Sequence, residues 1–404
     1  MSDAPPLPTL LVIPTGVGCA VGGYAGDGLP AARLLAAASG CLITHPNVMN
    51  GAALYWSDRR IHYVEGWALD RFAAGELALA PVAGRRVGLL LDAAIEPELR
   101  ARQIQAAEAC RATLGLSIGP VFTTEAPLGV GLSLGPSGSS WGTLERPDAL
   151  LRAGEKLVAA GATAIAAVAR FPDDPDSEAL AAYRQGSGVD ALAGAEAVIS
   201  HLLVRHLGIP CAHAPALATL PLDPGLDPRA AAEELGHTFL PCVLVGLSRA
   251  PDLVPLGPVG APPFNALEGA TGLTSATSGR ECAGAGDGPG GAGDHCDRTE
   301  RWPGGRFGPG QGQRRAGERL EVSSLGAVVA PAGALGGEAV LASALRGLPL
   351  IAVAGNPCLL QVSNEALGLE VLSASSYAEA AGLVLALREG LDPTSLRRPL
   401  QRLE

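Results

Sequence analysis

Short apolar runs rich in Val, Ile and Leu recur along the chain, each closed by Gly, Pro or charged residues and followed by a stretch of helical period. That alternation restricts the fold more than any other feature. Such a run suits a strand buried on both faces, and a helix after it carries the chain back to start a parallel neighbour. The runs predict strands at Leu10–Ile13, Cys41–Ile43, Val87–Leu91, Val121–Thr124, Ala164–Ala169, Ile209–Ala212, Cys242–Val245, Ala327–Ala330 and Leu350–Val353. Helices are expected at Leu29–Ala38, Glu96–Leu114, Asp148–Ala160, Ala191–His206, Pro228–Leu235, Glu338–Leu345 and Tyr377–Arg388. In "VRHLGIPCAH", "LRGLPLIAVAGNP" and "VAAGATAIAAVARF" a glycine ends the helix and a short loop feeds the next strand. The expected fold is α/β: a doubly wound, mostly parallel, Rossmann-like sheet or sheets with helices on both faces, in two lobes.

One segment breaks the pattern. Across 255–318 glycine is the commonest residue and no period of strand or helix survives. Two readings stand for it: a disordered insert that cannot bury enough apolar surface to order itself, or a slip of the reading frame. The organisation expected is therefore a main α/β domain over 1–254, this insert, and a C-terminal α/β part over 319–404 that completes the sheet or forms a second lobe. With 404 residues, 48% of them hydrophobic and only 4% aromatic, the chain can bury a large core of Ala, Val, Leu and Ile. Its net charge of −11 repels a phosphate backbone, so nucleic acid is not an expected partner. No run reaches the roughly 20 apolar residues of a membrane helix, and the N-terminus resembles no signal or transit peptide. The eight cysteines have no paired spacing and are expected to be reduced, mostly buried thiols of a cytoplasmic protein.

In open α/β sheets ligands bind beyond the carboxyl ends of the strands, and here those positions are polar. After the first run comes "PTGVGCAVGGYAGDG", with Thr15, Gly16, Gly18, Gly22 and Gly23 and with Asp27 ahead of the next helix. Glycines there let backbone N–H groups approach an anion at a helix N-terminus, or merely let the helix pack close to the sheet. Neither a P-loop nor a dinucleotide fingerprint is present, and the cofactor is left unknown. "THPNVMN" gathers His45, Asn47 and Asn50 on an expected turn. Asp92, Arg170, Asp173, His213 and Arg249 follow other expected strands or lie within a few residues of them, and Glu65 lies in "YVEGWALDRF". A second glycine turn brings Gly336 and Gly337, and "AGNP" brings Asn356. His45 and Asp92 are the expected proton-transfer residues, the others ligand contacts, with Arg170 and Arg249 neutralising an anion. His201 and His206 are five apart on one helix and do not share a face as joint ligands, so no metal site is expected.

The motifs "VIPTGVGCAVGGYAGDGLPAARLL", "ITHPNVMNGAALYW", "YVEGWALDRFAAG", "LDAAIEPELRARQIQAAEACRATLGL", "GVDALAGAEAVISHLLV", "IPCAHAPAL" and "LPCVLVGLSRAP", in this order, resemble an uncharacterised family of photosynthetic bacteria and plastids known as a domain of unknown function. The resemblance runs from Thr9 to Pro251 and resumes more faintly over Gly326 to Val362. It implies no reaction, substrate or catalytic residue. From the residues, the expected function is that of a cytosolic enzyme binding a phosphorylated or carboxylated small molecule in a cleft, possible also as a homo-oligomer. The alternative is a non-catalytic ligand-binding or assembly protein using the same cleft.

Overall fold

A computed structural model of the chain describes residues 4–50, 58–174, 177–234, 239–256, 313–314 and 319–400, with 313–314 as backbone only. The expected insert at 255–318 lies outside the described residues except for 255–256 and 313–314, so neither reading of it is addressed. In chain order the first described strands are β1 (Thr9–Leu11), β2 (Leu42–Thr44), β3 (Ile61–Tyr63), β4 (Leu77–Ala80), β5 (Val82–Gly84) and β6 (Val87–Leu91). Next come β7 (Ile118–Thr123), β8 (Val130–Leu134), β9 (Ser140–Leu144), β10 (Ala164–Arg170), β11 (Cys211–Ala216) and β12 (Asp252–Pro255). The last are β13 (Gln313–Arg314), β14 (Ala327–Pro331), β15 (Leu350–Val353) and β16 (Leu372–Ala374).

Two parallel sheets carry the architecture. The larger has the order β16-β15-β14-β1-β2-β3, so three strands run outward from β1 on one side and three from β14 on the other. This is the strand order of a doubly wound Rossmann sheet, and its direction reverses between β1 and β14. The C-terminal part thus completes the sheet that the N-terminus starts, with Leu10 opposite Val328 and Leu11 opposite Val329. The smaller sheet, β11-β10-β6-β7, reverses in the same way between β6 and β10. Each reversal leaves a crevice beyond the carboxyl ends of its two central strands.

β1 is buried on both faces: Thr9, Leu10 and Leu11 have no exposure, nor has Ile13 just beyond it. At roughly 1.5–3 kcal/mol per buried side chain, this strand is central to the stability of the larger sheet. The helices end as their glycines direct. Gly208 caps the Ala193–Leu207 helix in the left-handed conformation, with φ of 66°, and β11 begins three residues later.

One expected strand is a helix. Cys242–Val245 lies within the helix Phe239–Leu247, which packs against β10, β11 and the helix Pro97–Leu114. A helix wedged this way is apolar on nearly every side, so its residues cannot be told from a buried strand by periodicity. Arg249 therefore follows a helix rather than a strand. The "THPNVMN" turn is likewise a short helix, Pro46–Met49. The antiparallel pairs β8–β9 and β4–β12 are additions outside the alternating pattern.

Candidate functional site

The crevice between β1 and β14 is where the first glycine loop sits, and the loop is knitted into the protein. The amide of Ala20 donates to the Pro357 carbonyl at 2.9 Å, and that of Val21 to Asn356 Oδ1 at 2.8 Å. Gly22 donates to Asp27, Ala25 to Glu233 and Gly26 to the Asn47 carbonyl. Asn47 in turn donates to the Gly22 carbonyl at 2.7 Å, and Asn356 to that of Val21 at 2.9 Å. Of the glycines expected to face an anion, the amide of Gly22 is taken by the chain's own Asp27, and the neighbouring amides of the loop find other internal acceptors. Asp27 is the carboxylate at this helix N-terminus, and burial pushes its pKa up to about 6.

Packing fixes the loop as tightly as hydrogen bonding does. A Cβ on Gly23 would stand 2.2 Å from the Cys19 carbonyl oxygen, and one on Gly18 2.7 Å from Leu359. Gly23→Ala is therefore expected to cost about 1–3 kcal/mol through overpacking. Thermal unfolding in plain buffer checks this, and a variant as stable as the wild type would refute the packed-loop account. Thr15 and Gly16, ahead of this knot, remain partly exposed at the crevice mouth.

The other expected residues resolve as follows. Gly337 opens the helix Glu338–Leu345, whose Ala339 amide donates to Asp70 at 3.0 Å, so an internal carboxylate occupies that helix end too. Gly336 is exposed beside Val362. Asp92 stands at the second crevice, 1% exposed, where its two oxygens accept from the amides of Ala94, Leu128 and Arg170 at 3.0–3.1 Å. With that many donors it anchors the carboxyl ends of β6 and β10 instead of serving as an open base. The Arg170 guanidinium is bound to Glu96, Asp173 and the Phe171 carbonyl, which leaves it no fork for an external anion. Asp173 also accepts from the Ala218 amide. Arg249 is held by the protein and is not a free cation. His45 accepts the Ile13 amide at Nε2, 3.1 Å, and burial lowers its pKa to about 4. Its neutral ring thus ties the end of β2 to that of β1. Asn50 accepts from the Tyr63 hydroxyl at 2.8 Å.

Two further expected residues, Glu65 and His213, belong to one array built on the helix Ala193–Leu207. Glu65 lies just past β3, an edge strand of the larger sheet, and His213 on β11, an edge strand of the smaller. Glu65 caps the helix Gly66–Ala73 by accepting from the Trp67 amide, while its other oxygen is 3.1 Å from His201 Nε2. His213 reaches the Ser200 hydroxyl through Nδ1 at 3.0 Å and Glu196 through Nε2 at 3.5 Å. The Ser200 hydroxyl also lies beside the Glu65 carboxyl and favours its charged form. Ser200 itself is 1% exposed and mid-helix, a link between the two histidine–carboxyl pairs and not a nucleophile.

Burial pushes the Glu65 carboxyl up to about 8 and, with His213 nearby, pulls the His201 imidazolium down to about 4. Burial thus moves the two groups in opposite directions, favouring the protonated carboxyl of Glu65 and the neutral imidazole of His201. The His201 side chain is 40% exposed while that of Glu65 is 4% exposed, so the pair has one wet and one dry member. Glu65 also forms part of the wall of a small pocket with Tyr63, Val64, Cys211 and Leu253.

A second acidic group continues toward the first glycine loop. Asp190 is pushed up to about 7 by burial and by Glu196, and Glu233 is raised by burial and by Asp190. Tyr183 donates to Glu233 at 2.8 Å and stacks on Tyr24 at 4.2 Å between ring centres, with Arg229 over the other ring. Sequence reasoning missed Asp190, Glu196, Ser200, Glu233 and both tyrosines, and treated His201 only as a rejected metal ligand. The signal was present in "GVDALAGAEAVISHLLV", where Glu196 and Ser200 stand four apart and so share a helix face. No group of three or more metal-ligating side chains occurs among the described residues.

No solved structure matches the chain. A relative described as an uncharacterised lipoprotein of Synechococcus sp. strain PCC 6301 is 50% identical over 390 residues, which span 96% of this chain and 93% of the relative. The model of a family described as protein of unknown function (DUF3326) matches residues 8–260 and 305–397 and leaves out the centre of the glycine-rich segment. With that extent of match, and with the order of motifs that carries it, the chain belongs to the DUF3326 family of proteins of unknown function.

Proposed function

We propose that the protein is an enzyme of small-molecule metabolism that performs acid–base chemistry between the edges of its two sheets, with Glu65 as proton donor and His201 as acceptor. The observation that carries this reading is geometric: a buried carboxyl 3.1 Å from a half-exposed imidazole, with burial raising the pKa of the first and lowering that of the second. Two titratable groups driven apart in this direction provide an acid and a base together at neutral pH. His213 and Glu196 position them through Ser200. The charge of the surroundings selects the ligand. Asp190, Glu196 and Glu233 offer carboxyl groups as hydrogen-bond partners on one side, and the expected cationic contact Arg170 is saturated, so a hydroxylated or amine-bearing metabolite suits the site better than a phosphate or carboxylate.

The test is an incubation of pooled polyols, sugars, amines and amino acids with the protein in D2O, followed by proton NMR. Wild type is expected to convert or deuterate one component, with Glu65→Gln slower by about 10²-fold or more. Equal rates in the variant would overturn the assignment. A component that raises the melting temperature but is neither converted nor exchanged would move the protein to the non-catalytic class.

We place this activity in the cytoplasm. No helix among the described residues is long and apolar enough to cross a membrane. The relative's description as a lipoprotein raises the alternative of a lipid on a cysteine that processing has made N-terminal. Cleavage ahead of Cys19 would remove β1 from the middle of the larger sheet, so Cys19 does not suit that role. Cys19 is also 3% exposed, a poor acceptor for a lipid.

A further inference from the structure

All six cysteines among the described residues are buried, as composition suggests, but two of them are partners despite standing 339 residues apart. Cys19 belongs to the loop after β1 and Cys358 to the loop after β15, and their sulfurs are 2.9 Å apart at the crevice between β1 and β14. The backbone explains how they meet. Ala20 donates to the Pro357 carbonyl at 2.9 Å and Leu359 to the Gly18 carbonyl at 3.1 Å, which makes Cys19 and Cys358 a non-hydrogen-bonded antiparallel pair. In such a pair the Cα atoms stand about 4.5 Å apart with the side chains on one face, within the range a disulfide spans without backbone movement. Asn356 clamps the same junction through Val21.

We propose that Cys19 and Cys358 form a reversible dithiol–disulfide site, oxidised by a hydroperoxide, that ties the loop after β1 to the loop after β15. The inference stands apart from the Glu65–His201 reading and survives its failure. The two thiols are chemically distinct: the contact with Cys358 and burial raise the pKa of Cys19, while the same contact lowers that of Cys358. The thiolate sulfur of Cys358 attacks a peroxide oxygen, breaks the O–O bond and becomes a sulfenic acid, with water or an alcohol leaving. The Cys19 sulfur then attacks that sulfenic sulfur, loses its proton and expels the second oxygen as water. Two electrons and two protons pass from the thiols to the peroxide, and a dithiol reductant reverses the change. Both sulfurs lie beneath exposed residues, Ala20, Pro357 and Leu359, so a small oxidant has a short path to them.

The test uses the full chain, reduced with dithiothreitol, desalted, and treated with hydrogen peroxide before alkylation in denaturant and tryptic mass mapping. Trypsin releases Cys19 in residues 1–33 and Cys358 in residues 347–388. The expected result is these two peptides joined, two mass units lighter than their sum, and separated again by dithiothreitol. Cys41, Cys110, Cys211 and Cys242 are expected to remain alkylated. In Cys19→Ser, Cys358 is expected to stop at sulfenic or sulfinic acid without forming a cross-link. Full alkylation of both cysteines after peroxide, or oxidation of Cys358 in the wild type without linkage to Cys19, would overturn the proposal. The wild-type map decides alone if the variant does not fold.

Discussion

Replacing Arg85 with Ala is expected to destabilise the protein by about 3–5 kcal/mol, the cost of leaving a buried charge without its partner. The Arg85 side chain has no exposure and bonds to three groups from two segments: the Thr163 carbonyl at 2.7 Å, and the Ala250 carbonyl and Asp252 Oδ1, the latter at 2.7 Å. Burial pulls its pKa down and Asp252 opposes that pull, so the guanidinium is held charged by a single carboxylate. Arg85→Lys keeps the charge but not the planar fork and is expected to recover only part of the loss. Arg85→Ala with Asp252→Ala is expected to be less destabilised than the sum of the single changes, because each alone strands the other's charge. Urea unfolding gives the answer, provided the slope stays constant. A loss below about 1 kcal/mol for Arg85→Ala would refute the account.

The ion pair also bears on the site. Asp252 begins β12, and the turn before it carries Pro251 into the wall of the pocket that Glu65 lines. The same turn follows the wedged helix Phe239–Leu247, whose Gly246 lies so close to Tyr63 that a Cβ would stand 2.4 Å from the ring. Arg85 thus fixes the end of the element that separates the two sheets, and with it the wall against which the buried carboxyl is desolvated.

How much of this was legible in the sequence follows from the range of each interaction. Strands such as Val87–Leu91 and Ala164–Arg170 were evident because their burial is written in consecutive apolar residues, and their helices because glycines such as Gly208 end them locally. The polar strand ends were evident too, since they lie next to those runs. What each polar group does was not, because its partner is distant in the chain. Asp92 resembles an open base until the amides of Leu128 and Arg170 arrive, 36 and 78 residues later. The first glycine loop resembles an anion cradle until Asn356 and Glu233 take its amides. Cys19 and Cys358 carry no spacing signal at all, and only the strand order brings them together.

The stability difference between wild type and Glu65→Gln is expected to shift steadily in the variant's favour from pH 4.5 to pH 8. Unfolded, the Glu65 carboxyl titrates near 4.5; folded, burial holds it near 8. Between those values the folded chain keeps a proton that the unfolded chain has released, so rising pH favours unfolding. The contribution is fully present below pH 4.5 and is lost as pH passes 8. At 1.36 kcal/mol for each tenfold change in proton affinity, the wild type loses at most about 5 kcal/mol through this one group. Glutamine mimics the protonated carboxyl at every pH and removes that slope, leaving all other titrating groups common to both proteins. Urea unfolding of the two proteins at half-unit steps of pH measures the difference directly. An ionised Glu65 paired with a protonated His201 would instead place the wild type's gain below pH 4.5 and leave the difference level from there until the imidazole titrates. Parallel curves, or a gain of that kind, would remove the protonated acid on which the proposed chemistry depends.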